Sequence, residues 1–88
     1  MKNIIMPKKG QAMEEGTIVE WHKAEGDFVN ENEIIASIET DKVVVEIEAS
    51  LSGYLHIFVE EGFSVPIGQT IAAIFETKEE YDREIKKS

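Results

Sequence analysis

The chain has 88 residues, no cysteine and a formal net charge of −9, from 18 acidic and 9 basic side chains. This length fits one domain with modest burial, and the lack of thiols excludes a disulfide framework and a Cys–His catalytic pair. The charge disfavours nucleic acid and anionic membrane surfaces, and no run approaches the ~20 apolar residues of a membrane span.

The first residues, Met1 to Pro7, hold too short an apolar run for a secretory signal. The expectation is a soluble, intracellular protein, cytoplasmic or, in a eukaryote, in the mitochondrial matrix. Asn3 to Met6 reads as a short strand stopped by Pro7, which lacks a donor and keeps its predecessor extended. Lys8 to Gly16 reads as a loop punctuated by Gly10 and Gly16, with Met13 as an apolar plug. Thr17 to His22 is a strand by its β-branched and aromatic content. Ala24 to Asp27 is a turn, Phe28 and Val29 a brief extended piece, and Asn30 to Glu33 another turn. Ile34 to Ile38 is a strand that leads to a polar corner, Thr40-Asp41-Lys42.

Asp suits such a corner, because its short side chain bonds nearby backbone N–H groups. Three valines follow and restart strand character at once. Thr40 and Val43 are therefore expected to close a hairpin, with Lys42 at its tip. In the returning strand, Val43, Val45 and Ile47 share one face; Val44, Glu46 and Glu48 share the other, as in a sheet with one wet side. Ala49 to Gly53 is a loop, Tyr54 to Val59 a strand, Glu60 to Gly62 a turn, Val65 to Gln69 a corner and Thr70 to Phe75 the last strand. From Thr77 the character changes. Thr77-Lys78-Glu79-Glu80 fits a capping box, and Tyr81 and Ile85 share a helical face. A helix of about a dozen residues is marginal alone. The folded unit is therefore drawn at residues 1–76, with 77–88 a charged tail, a frayed helix or the start of a linker.

The body repeats itself. Gly26, Val29, Ile35, Ala36 and Ile38 recur 36 positions later as Gly62, Val65, Ile71, Ala72 and Ile74. Gly16, Ile18 and Trp21 recur after 37 as Gly53, Leu55 and Phe58. Two such halves predict an all-β fold of two similar sheets facing each other about a pseudo-twofold axis, a flattened barrel or sandwich. The Lys42 hairpin then lies at one end.

Little else carries chemistry. His22 and His56 read as partly exposed strand residues. The abundant carboxylates read as a charged outer face rather than a glycosidase pair. The glycines form turns and match no phosphate loop, and Trp21, Phe58, Met6 and Met13 read as core. No catalytic residue and no metal site is expected, and so small a body has little room for a pocket. Between residues 10 and 77 the only lysines are Lys23 and Lys42. An exposed lysine in a turn usually means nothing; the string around this one changes that.

Met6 to Ile18, with Trp21, Glu25-Gly26-Asp27 and Val29, and then Ile38-Glu39-Thr40-Asp41-Lys42-Val43, resembles the lipoyl domain of 2-oxo acid dehydrogenase complexes. Gly53, Glu61-Gly62, Val65, Gly68, Ile71-Ala72 and Ile74 continue the likeness, which covers about residues 2 to 76. The resemblance implies two four-stranded antiparallel sheets in a barrel-sandwich hybrid. It implies amide-linked lipoate on Lys42, with Asp41 and Thr40 placing the amine for a lipoate ligase or lipoyl-transfer enzyme, and the loop of residues 8–15 flanking the arm.

The implied role is a swinging arm in a dihydrolipoamide acyltransferase. The arm takes acyl groups from a thiamine-diphosphate-dependent 2-oxo acid decarboxylase, passes them to coenzyme A, and is reoxidised by dihydrolipoamide dehydrogenase. The isolated domain is expected to be monomeric. Glu39, Asp41, Glu46 and Glu48 would steer basic partners. Asn32 stands where many relatives carry a turn glycine, and Lys9 where leucine is common. A biotinyl carrier shares the fold but usually sets methionine on both sides of its lysine, where Asp41 and Val43 stand here. A non-covalent acidic docking module is the alternative from another class, and predicts an unmodified Lys42. The first half of the chain leans slightly towards pyruvate or acetoin systems over 2-oxoglutarate.

Overall fold

The computed structural model describes residues 1–8, 14–40 and 43–86. Eight strands and one helix follow in chain order: β1 (Lys2–Ile5), β2 (Glu15–Trp21), β3 (Phe28–Val29), β4 (Ile34–Glu39), β5 (Val44–Glu48), β6 (Gly53–Ile57), β7 (Ser64–Pro66), β8 (Thr70–Phe75) and α1 (Lys78–Ile85). They form two four-stranded sheets, sheet A in the order β1-β8-β6-β3 and sheet B in the order β5-β4-β2-β7, with every pair antiparallel. The repeat seen in the sequence relates β2 to β6, β3 to β7 and β4 to β8, and β5 and β1 take matching places at the edges of the two sheets. This is the pseudo-twofold arrangement, realised as a flattened sandwich.

The repeated residues are the core. Ile18, Ile35, Ala36 and Ile38 are fully buried, and so are their counterparts Leu55, Ile71, Ala72 and Ile74. Met6 joins them at zero exposure. Each of these side chains is stabilised by the apolar area it removes from water, about 1.5–3 kcal/mol for a branched aliphatic. Gly53 opens β6 where no larger residue fits: a Cβ there would run into the Phe75 carbonyl and lie 2.8 Å from Ile74 Cγ2.

Three local readings change. The segment read as a corner at Val65 to Gln69 begins as strand β7, Ser64–Pro66, paired with the start of β2. Pro66 is tolerated there because β7 is an edge strand that needs no donor on its outer side. Phe58 is 50% exposed rather than core. It falls just past β6 and meets the His56 ring edge-on at 4.7 Å. Val43, placed on the inward face with Val45 and Ile47, is 53% exposed because it lies beyond the ladder, at the closure of the hairpin.

Asn32 has φ 72°. Its counterpart 36 positions on is Gly68, at φ 91°. Asn enters the left-handed region more readily than other L-residues, so the turn keeps the glycine-like geometry.

At the C-terminal side, the Thr77 hydroxyl accepts from the Glu80 amide and caps α1. Tyr81 is 7% exposed and packs with Ala73 and Phe75; Tyr54 and Ile85 flank this cluster. The helix thus lies on the outer face of sheet A, against β6 and β8. Among the described residues no helix is long and apolar enough to cross a membrane.

Candidate functional site

Lys42 and Asp41 lie outside the described residues, as do residues 9–13 of the loop read as flanking the arm, Lys9 and Met13 among them. Their frame is described. β4 and β5 pair in register from Ile34↔Glu48 to Glu39↔Val44, with one irregularity between Ile34 and Ala36. Beyond Glu39 the Thr40 amide donates to the Val43 carbonyl at 2.8 Å. The Thr40 hydroxyl donates to the same carbonyl at 3.0 Å, and its Oγ1 accepts from the Val43 amide at 3.1 Å. The side chain thus ties both backbone groups of Val43. Thr40 and Val43 close the hairpin, and the chain between them is two residues, Asp41 and Lys42.

The hairpin is anchored three strands deep. Glu39 pairs with Thr17 of β2, and Thr17 with Ser64 of β7. Thr17 Oγ1 and Ser64 Oγ lie 2.6 Å apart. This end of the sandwich also holds the β7–β8 turn, whose Ile67 amide donates to the Glu14 carbonyl at 3.1 Å. The Gly68 amide donates to the Met6 carbonyl at 2.9 Å. A rigid base for the Thr40–Val43 closure results.

The tip's surroundings are acidic and apolar. Glu39, Glu46 and Glu48 are exposed, and Val43 and Val44 are 53% and 57% exposed. Lys23, the other lysine of the central chain, is engaged elsewhere: its Nζ lies 2.8 Å from the Glu33 carboxylate. That hydrogen bond, with the attraction of the charge behind it, raises the Lys23 amine above its ordinary value.

The two histidines occupy unrelated places. His22 Nε2 lies 2.8 Å from the Ser37 hydroxyl on the outer side of sheet B. His56 Nδ1 lies 2.7 Å from Glu25 Oε2 on the outer side of sheet A. A groove of about 880 Å³ beside Trp21, His22, Glu25 and Glu61 includes no hairpin residue. Among the described residues no group of three potential ligands is placed to hold a metal ion.

Sequence reasoning missed one cluster. Glu25, read only as part of a turn, accepts at Oε1 from the Ile57 amide at 2.6 Å and at Oε2 from the Tyr81 hydroxyl at 2.6 Å. Burial alone would raise the Glu25 carboxyl, but the bonds from Tyr81, Ile57 and His56 together hold it below its ordinary value. Burial, reinforced by the bond to Glu25, pushes the Tyr81 hydroxyl up to about 12. A signal was available: Ile71-Ala72-Ala73-Ile74-Phe75 does not alternate, as befits a strand covered on both faces.

Comparison with known proteins agrees with this geometry. A biotin/lipoyl family model, described as biotin-requiring enzyme, matches residues 2–74. The chain is 42% identical over 81 residues to the dihydrolipoyllysine-residue acetyltransferase component 5 of the chloroplastic pyruvate dehydrogenase complex of Arabidopsis thaliana, covering 91% of this chain and 17% of that protein. It is 40% identical over 77 residues to the dihydrolipoyllysine-residue succinyltransferase component of the 2-oxoglutarate dehydrogenase complex of Staphylococcus saprophyticus, covering 86% and 18%. The chain therefore spans less than a fifth of the length of these two relatives. The solution structure of the lipoyl domain of the 2-oxoglutarate dehydrogenase complex from Azotobacter vinelandii superimposes with a TM-score of 0.73 at 35% identity, covering 86% of this chain and 98% of that one.

Proposed function

The chain belongs to the biotin/lipoyl family as a lipoyl domain, a carrier rather than a catalyst, and from that premise we propose that Lys42 holds lipoate in amide linkage. The observation that carries this is the Thr40–Val43 closure, which leaves only Asp41 and Lys42 between two anchored strands. A prosthetic arm needs a fixed base and a free end. The closure supplies the first, and the four-carbon lysine stem supplies the second. Lipoate supplies a dithiolane that takes up an acyl group together with two electrons. The protein's own contribution is to hold the amine still, with Thr40 and Asp41 presenting it to a lipoate ligase or lipoyl-transfer enzyme.

Tethering keeps the arm at a high local concentration near each active site it serves. The partners proposed are a thiamine-diphosphate-dependent 2-oxo acid decarboxylase and dihydrolipoamide dehydrogenase, in a 2-oxo acid dehydrogenase complex built on a dihydrolipoamide acyltransferase. The compartment that fits is the cytoplasm, or the mitochondrial matrix in a eukaryote. Acetyl- and succinyltransferase relatives match at nearly equal identity, 42% and 40%, so similarity favours neither acyl class. We place the carrier unit at residues 1–76, with 77–88 an appended segment. Lipoyl is favoured over biotinyl by Asp41 and Val43, the immediate neighbours of the lysine.

Co-expression with a lipoate ligase, followed by intact mass spectrometry, tests this reading. One lipoyl mass is expected, and Lys42→Arg is expected to remove it. A biotin-sized increment, no increment, or lipoylation that survives Lys42→Arg would overturn it.

A further inference from the structure

The two halves of the sandwich are alike inside and unlike outside. On the outer face of sheet A stand Tyr54, Ala73 and Phe75, packed against Tyr81 of α1. Their counterparts on sheet B are Thr17, Ser37 and Glu39, with no helix over them among the described residues. Sheet A is therefore built to receive a helix. The patch beneath α1 is a cluster of its own: Ala73, Phe75 and Tyr81 with Tyr54 and Ile85, separate from the main core. An eight-residue helix has no stability in isolation. Its place depends on that patch and on the bond from the Tyr81 hydroxyl to Glu25; a long, exposed ion pair between the Met1 amine and Glu80, at 3.8 Å, adds little.

We propose that α1 is a reversible strap, held on sheet A by the Tyr81–Glu25 bond, which lifts as a unit when Glu25 is protonated while the sandwich beneath stays folded. The groups around Glu25 decide when this happens. From α1 come the Tyr81 hydroxyl and, beside it, Asp82; from β6 come His56 and the Ile57 amide. β8 contributes only Ala73 and Phe75 to the cluster. His22, Lys23, Asp27, Glu60 and Glu61 share the groove beside Glu25; Lys23 is paired with Glu33 and His22 lies against the Ser37 hydroxyl. A protonated His56 ring still donates to the carboxylate, so only protonation of Glu25 itself removes the charged acceptor. Gly26 fits the same design, since a Cβ there would stand 3.1 Å from the Tyr81 hydroxyl. Lifting the helix uncovers Tyr54, Ala73 and Phe75 next to Phe28, which is already 48% exposed and edge-on to Tyr54. It leaves the main core closed.

Residue-resolved amide exchange on the 88-residue chain, followed into acid with the protection of β4 as the reporter of the sandwich, tests the strap. Protection of 78–86 is expected to fall while that of β4 and β8 persists, and an apolar dye should bind in the same interval. Glu25→Gln, a fixed neutral acceptor, is expected to lower α1 protection at neutral pH by about tenfold or more, the scale of losing one charge-assisted bond. It should also remove the acid step. Tyr81→Phe should do the same, and stands in if Glu25→Gln does not fold. Lipoylation of Lys42 should be unchanged in both variants. Loss of protection in α1 and the sandwich together at every pH would overturn the strap, as would an unaltered acid step in either variant.

Discussion

Phe75 and Glu39 hold the same place in the two halves of the chain, 36 positions apart, each the last residue of its strand and each turned outward. Phe75 is 2% exposed beneath α1; Glu39 faces water beside the hairpin closure. One sheet therefore spends its outer face on a helix. The other leaves its outer face open beside the Thr40–Val43 closure. Five expectations follow from this frame and the closures within it.

The Thr40 hydroxyl is the link between the strand ends and the tip. Thr40→Val keeps the shape and removes both side-chain bonds to Val43. Stability should fall by about 1 kcal/mol, read by chemical denaturation. Lipoylation of Lys42 should slow by about tenfold or more, since a misplaced reacting group loses rate steeply.

Exchanging Asp41 and Lys42 moves the amine by one position and leaves composition unchanged. Lipoylation should be abolished while the melting temperature stays the same. Equal modification of the exchanged chain would show that the turn does not position the amine.

Alkali should weaken the attachment of α1. The Tyr81 hydroxyl ionises at about 12 in the folded chain against 10.0 for an ordinary tyrosine. A group that holds its proton more tightly when folded stabilises the protein fully below pH 10, and that share is lost as pH rises through about 12. Glu25 has the opposite sign: its carboxyl is lowered, so its contribution is present above 4.5 and is lost as pH falls below it. Wild type minus Tyr81→Phe should give a stability difference of about 1 kcal/mol on the plateau, kept small because Glu25 is 44% exposed. The difference should vanish at both extremes, as followed by denaturant midpoints across pH.

The left-handed turn at Asn32 gives a paired test. Asn32→Ala should cost about 1 kcal/mol, because alanine lacks the local hydrogen bonding that lets Asn adopt φ 72°. Asn32→Gly should be within about 0.5 kcal/mol of wild type, since glycine accepts the turn but adds freedom to the unfolded chain. A larger loss with glycine than with alanine would show that the left-handed φ at this turn is not what disfavours alanine.

Gly53→Ala should destabilise by about 3 kcal/mol or prevent folding, because the added methyl meets the Phe75 carbonyl, backbone that cannot yield without shifting β8. Thermal melting measures this. A melting temperature like that of wild type would mean that β6 and β8 separate more readily than their pairing implies.

Most of the frame is legible in the sequence itself. The 36-residue repeat is a repeat of core positions, and core positions dictate the two sheets, so Ile35 and Ile71 or Ile38 and Ile74 identify one another. The hairpin closure was legible because Thr and Val flank a two-residue polar corner. What escaped depends on groups that meet only in three dimensions. Glu25, His56 and Tyr81 are far apart in the chain, and nothing local marks Glu25 as an acceptor for a distant phenol. Phe58 was misplaced because its repeat partner Trp21 packs partly inward. Trp21 can do so because its indole N–H reaches the Val59 carbonyl at 2.9 Å, a bond for which phenylalanine has no donor. Val65 and Pro66 read as part of a corner because proline hides an edge strand.

The folded chain, helix included, measures 39 × 25 × 18 Å. β8 starts at Thr70, beside the turn that touches Met6 and Glu14, and runs about 16 Å away from the hairpin end to Phe75. Lys2 pairs with Ile74 there, so the first strand begins at that far end as well. The body is therefore a stiff spacer, about one strand long, between the start of β1 with the end of β8 and the Thr40–Val43 closure. On the proposed reading, any rotation of the body about that far end carries the closure through an arc whose radius includes the length of the sandwich, so the lysine stem need only cover the last stretch.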